Sequence, residues 1–90
     1  MAEPATLKLE GALTLHTVAA HLERPLPDGD FTIDLGGIAQ ADSAALALLL
    51  AWLRRAKARG SQVALRALPE PLRALAETYG IAPLLPPPAT

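Results

Sequence analysis

From Ala44 to Arg59 the chain contains neither glycine nor proline; Asp42-Ser43 precede this run and Gly60 follows it. Asp and Ser accept hydrogen bonds from the free N–H groups of a first helical turn, and glycine takes the left-handed conformation just past a last one. Arg54, Arg55, Lys57 and Arg59 fall in the final turns, where the helix dipole favours cations by ~0.3–1 kcal/mol each. The spacing predicts a long helix over 44–59. In a chain of 90 residues, everything else must be short and must pack against it.

At about 100° per residue, Leu46, Leu49, Leu50, Leu53 and Ala56 form one stripe of that helix, enough to cover a sheet. The other side would be polar in water, yet it carries Ala47, Leu48, Ala51 and Trp52 and turns charged only from Arg54 and Arg55 onward. A helix apolar on every side is normally buried on every side. A domain of this size is expected to have no second layer, so Leu48 and Trp52 are expected to face a partner, with the single Trp beside small alanines as an interface hot spot. Scattered exposed Ala and Leu are the alternative reading. Burial of Leu48 and Trp52 within the lone domain would collapse this docking reading.

The rest of the chain alternates strands and helices. Thr6–Leu9 and Phe31–Leu35 alternate apolar and polar residues and stop at Gly11 and Gly36-Gly37; Gln62–Leu68 alternates again. Leu15, Val18, Ala19 and Leu22 recur at helical spacing, as do Leu72, Leu75, Ala76 and Tyr79 between Pro69 or Pro71 and Gly80. A further strand over 11–15 remains open, Leu84-Leu85 are expected to pack once more, and residues 86–90 read as a Pro-rich tail. Strand–helix alternation implies an α/β fold with a largely parallel sheet and right-handed crossovers.

Composition narrows the function. Ala and Leu make up 37 of the 90 residues and aromatics only 3%, so helices dominate the expected core. Eight Lys+Arg against nine Asp+Glu give a net charge of -1, which leaves no basic field for nucleic acid or an anionic membrane. Without cysteine there is no disulfide, thiolate metal site or cysteine nucleophile. No apolar run approaches the ~20 residues that span a bilayer, and the first residues lack a signal-peptide pattern, so a soluble, cytoplasmic protein is expected.

No phosphate loop, dinucleotide fingerprint or zinc spacing occurs. Gly36-Gly37 is a weak phosphate-loop hint whose simpler reading is a turn. His16 and His21, about 140° apart on a helix, cannot share a metal. Asp34 and Asp42 lack an accompanying nucleophile and histidine. Neither an enzyme nor a cofactor or metal is expected.

Asp42-Ser43 is the polar pair of interest. One reading is capping alone, for which alanine replacement costs ~1 kcal/mol. In the other, the Ser43 hydroxyl lies at the rim of the apolar helix face, within a partner-binding set of Asp42, Ser43, Ala44, Ala47, Leu48, Ala51, Trp52 and Arg55. Phosphate on Ser43 would gain ~1 kcal/mol from the helix dipole. Burying its charge under a partner costs several kcal/mol, a loss of ~100-fold or more in affinity.

The segment Phe31–Leu35, Asp42-Ser43, the long helix, Gly60, the strand at Val63 and the final helix ending Tyr79-Gly80-Ile81 resemble a STAS domain over about residues 6–85. The resemblance implies one domain over 1–90, with a mixed, largely parallel sheet of four to five strands and about three helices. In the anti-sigma factor antagonists of this family a partner kinase phosphorylates the serine after Asp. Ser43 holds that position, although Ala44 and Ala45 replace the hydroxyl and glycine that follow it there. The stretch Asp42–Leu50, with Ala56-Lys57, Gly60, Leu75-Ala76, Tyr79 and Pro83, is more similar to the MlaB-like branch. That likeness implies a non-catalytic subunit binding an MlaF-like ABC ATPase, and through it a permease. The complex would sit at the inner membrane, move phospholipid and maintain outer-membrane lipid asymmetry, with Ser43 contributing to the ATPase contact. Other expectations are an anti-sigma factor antagonist switched at Ser43, a nucleotide or small-ligand module using the Gly36–Ser43 loop, and self-association of the isolated chain through its apolar face.

Overall fold

The computed structural model describes residues 5–86. Its order is β1 (Ala5–Leu13), α1 (Ala19–Leu22), β2 (Phe31–Ala41), α2 (Ser43–Ala58), β3 (Val63–Arg66), α3 (Glu70–Thr78) and a 3-10 turn at Ala82–Leu84. The expected tail keeps only Pro86 within the described residues; 87–90 lie outside them.

The sheet has three strands among the described residues, in the order β1-β2-β3 and parallel throughout. The expected four to five strands in a mixed sheet are therefore corrected. Residues 11–13 continue β1, with Gly11 passing through φ +82° inside the strand. β2 runs straight through Gly36-Gly37 to Ala41. Glycine at 37 has a packing cause: a Cβ there would lie 2.9 Å from Glu10 Cγ and 3.0 Å from the Leu9 carbonyl oxygen. With Asp42 alone between β2 and α2, no Gly36–Ser43 loop exists, which removes the basis of the nucleotide-module reading.

Two right-handed crossovers in the same sense place the helices on one side of such a sheet. Burial agrees: Leu7, Leu9, Phe31, Ile33, Leu35 and Leu65 are buried, whereas Thr6, Lys8, Glu10 and Arg66 on the alternate positions are exposed. On the wet face Asp34 lies opposite Lys8 and Arg66 in register, and its Oδ2 is 3.9 Å from Arg66 Nη1.

α2 spans the middle of the helical layer. It is capped by Asp42, whose Oδ1 accepts from Ala44 N at 2.8 Å. It closes as predicted at Gly60, φ +74°, with Ser61 N donating to Ala56 O at 2.9 Å. Its buried residues are Ala45, Leu46, Leu48, Leu49, Trp52 and Ala56. Leu48 is 1% and Trp52 0% exposed, so the expectation that they face a partner is wrong and the docking reading built on them falls with it. The missing cover comes from the 14–27 connection. His21 meets Trp52, while Arg55 Nη1 donates to Leu22 O and Arg24 O, both at 3.1 Å. Arg59 Nη2 donates to Pro27 O at 2.8 Å. Thus two arginines expected to complement the helix dipole, Arg55 also to meet a partner, strap this connection over the helix.

The first helix is shorter than its spacing predicts. Thr14–Val18 forms a turn, in which Thr17 Oγ1 accepts from Thr14 N at 2.8 Å and donates to Ala12 O at 2.9 Å. Side-chain bonds of this kind compete with the helical ladder, and Leu15, expected in the core, is 73% exposed. In α3, Leu72 and Ala76 are buried and Leu75 is half-buried, whereas Tyr79 points to solvent. Leu85 packs on the core while Leu84 does not.

Candidate functional site

The segment where β2 ends and α2 begins brings several predicted residues together. Asp42 N donates to Leu13 O at 3.2 Å. Its carboxylate is divided between two duties: Oδ1 caps α2, and Oδ2 accepts from Leu15 N at 3.1 Å. Asp42 is thus a positioning residue that ties the β1–α1 turn to the start of α2, and it leaves Leu15 projecting into solvent beside that start. Ser43 follows as the first helical residue. It is exposed, and its hydroxyl makes no hydrogen bond among the described residues.

Down the helix, Ser43, Ala47, Ala51 and Arg54 fall on one stripe at about 100° per residue. Ser43, Ala47 and Arg54 are exposed, while Ala44 and Ala51 are half-buried. No charged side chain lies between Ser43 and Leu53. Small side chains here allow another backbone to approach closely, and the hydroxyl and the guanidinium mark the two ends. Leu48 and Trp52 lie on the buried side, and the Arg55 guanidinium is held by the 14–27 connection; none of these three belongs to the free stripe. Leu15 and Arg54 join the candidate surface instead. Arg54 was legible from its spacing, three residues after Ala51 and seven after Ala47.

The other candidates separate. Asp34 and Asp42 are eight residues apart along an extended strand, roughly 25 Å, and each carboxylate already accepts a backbone N–H. They do not form an acid–base pair. Among the described residues no group of three or more His, Asp or Glu could hold a metal, and none of their helices is long and apolar enough to cross a membrane. A cavity of about 250 Å³ beside α3, walled by Leu65, Leu68, Ala76, Leu85, Arg73 and Glu77 among others, contains none of the predicted site residues.

The family model described as "Mlab, STAS domain" matches residues 2–86. The chain belongs to the MlaB-type STAS family. A solved sulfate transporter family protein from Wolinella succinogenes has the same fold as this STAS domain. It superposes with a TM-score of 0.65 at 13% identity, covering 90% of this chain and 70% of that one. At that identity the likeness concerns the fold alone. No curated protein matches the sequence significantly.

Proposed function

We propose that this STAS domain is a non-catalytic accessory subunit that docks the exposed stripe of α2 on the ABC ATPase of a phospholipid transport complex. It would stabilise and regulate that ATPase at the inner membrane, in a system maintaining outer-membrane lipid asymmetry. The observation that carries the reading is the free Ser43 hydroxyl heading an uncharged, small-residue stripe in a member of the MlaB-type family. The surface comprises Ser43, Ala47, the accessible part of Ala51 and Arg54, with Leu15 beside it. Leu48 and Trp52 act from beneath by holding the helix in place. An ATPase surface with a hydrogen-bonding group near Ser43 and an acidic group near Arg54 is the complement this stripe requires.

The same serine supports a second reading as an anti-sigma factor antagonist. An exposed hydroxyl directly after the capping Asp42 is open to a kinase, and a phosphate there leaves the cap bond from Ala44 N intact. Co-purification of the tagged full chain from its own cell separates the two. Recovery of an ABC ATPase with a permease supports the transporter subunit, and recovery of an anti-sigma kinase supports the antagonist. Recovery of neither contradicts both.

A further inference from the structure

Among the described residues β1 lies at the edge of the sheet, with nine residues and β2 as its neighbour on one side only. A long edge strand leaves a row of N–H and C=O groups to template pairing, and proteins usually blunt it by shortness, proline, bulges or lysine. The opposite edge is managed that way: β3 has four residues and Pro69 soon follows. β1 contains no proline, and the register shifts beside it come from its neighbour, but Gly11 at φ +82° kinks the strand itself. From Lys8↔Asp34 to Glu10↔Gly37 β1 advances two residues and β2 three; from Gly11↔Ile38 to Ala12↔Gln40 they advance one and two. The extra residues lie in β2; among the described residues the edge is blunted by Lys8 and by the Gly11 kink, beyond which Thr17 Oγ1 already occupies Ala12 O, so the regular open stretch runs from Ala5 to Glu10.

Lys8 is accompanied by Glu10 on the same sheet face, with Nζ and Oε1 3.7 Å apart and both side chains largely exposed. Directly opposite residues of an antiparallel pair share a face, so a two-fold axis relating two β1 strands must pass beside a residue. An axis at Lys8 or at Glu10 sets like charges against each other. An axis at Leu7 sets Lys8 against Thr6 and leaves the Glu10 charge unmatched. With the axis at Leu9, Lys8 of each copy faces Glu10 of the other, and both charged pairs lie in the regular stretch before Gly11. The chain's net charge of -1 puts little long-range repulsion in the way.

We propose that the outer edge of β1 is a self-association surface, on which a second copy of this chain pairs antiparallel about Leu9 to form a continuous six-stranded sheet. The pairing is independent of the function proposed for α2. Sedimentation velocity of the full chain over a concentration series tests it. Wild type shifts from monomer to dimer, and the single variants Lys8→Glu and Glu10→Lys each self-associate about tenfold or more weakly, since two facing pairs become repulsive. Mixing these two variants restores dimerisation, because each then faces its complement, and the double variant Lys8→Glu/Glu10→Lys behaves as wild type. Circular dichroism verifies that all remain folded. Wild type that stays monomeric throughout, single variants as tight as wild type, or a mixture no tighter than its components would each overturn the proposal.

Discussion

The His21 ring stands edge-on to the Trp52 indole, with centroids 6.4 Å apart and planes at 79°. This contact seals the flank of α2 that the sheet does not reach. Trp52 is fully buried, and its Nε1–H has no partner among the described residues. A buried donor without an acceptor costs ~1–3 kcal/mol. Trp52→Ala should therefore lose ~3–5 kcal/mol of stability through its cavity, whereas Trp52→Phe keeps much of the packing, removes the orphaned donor and should lose far less. Urea denaturation measures both, and equal losses would refute the account of this site.

Arg55 and Arg59 hold the 22–27 connection by three donated bonds to carbonyl oxygens. These bonds are exposed, so Arg55→Met should cost only about 1 kcal/mol globally. Its local effect should be larger: amide exchange should accelerate through α1 and Arg24 relative to β2. Uniform exchange across the domain would show that the straps do not hold the cover.

Asp42 serves a cap and a tether with separate oxygens. Asp42→Ala should lose ~1–2 kcal/mol and loosen the turn at Thr14–Val18. Asp42→Asn retains one acceptor oxygen and should keep most of the cap but not the Leu15 bond. Thermal melts ranking alanine and asparagine as equal would contradict this division.

Ala67 has φ +58°, a conformation that costs an L-residue roughly 1–2 kcal/mol. Ala67→Gly should relieve that strain at the expense of a more flexible unfolded chain. The expected result is a net gain of about 0.5–1 kcal/mol in chemical denaturation. A loss would place the strain elsewhere.

The fold was legible wherever a signal was local. Asp42 and Gly60 bracket α2, Pro69 and Gly80 bracket α3, and strand alternation sorts Leu7, Leu9, Ile33 and Leu65 inward. Signals that depend on non-local partners were misread. Gly11 and Gly36-Gly37 suggested strand ends, but strands continue through them; at Gly37 the glycine exists because β1 approaches too closely for a side chain. The apolar excess on α2 was real, yet its cover is the chain's own 14–27 connection, strapped down by arginines that sequence spacing assigns to the helix dipole. For the candidate site, Asp42, Ser43 and Ala47 were found from capping and periodicity. Leu15 was missed because helical spacing put it in the core, whereas the threonine bonds at Thr14 and Thr17 turn it outward.

The most direct measurement is the affinity of the full chain for the phospholipid-transporter ATPase of the same cell, by calorimetry, for wild type and for Ala47→Glu. Ala47 is exposed, so the substitution should leave the melting temperature nearly unchanged. Docking through the α2 stripe predicts that the buried glutamate weakens binding by ~100-fold or more, while Ala74→Glu, at an exposed position of α3, has little effect. Undiminished binding by a folded Ala47→Glu chain would contradict the placement of the partner on this stripe.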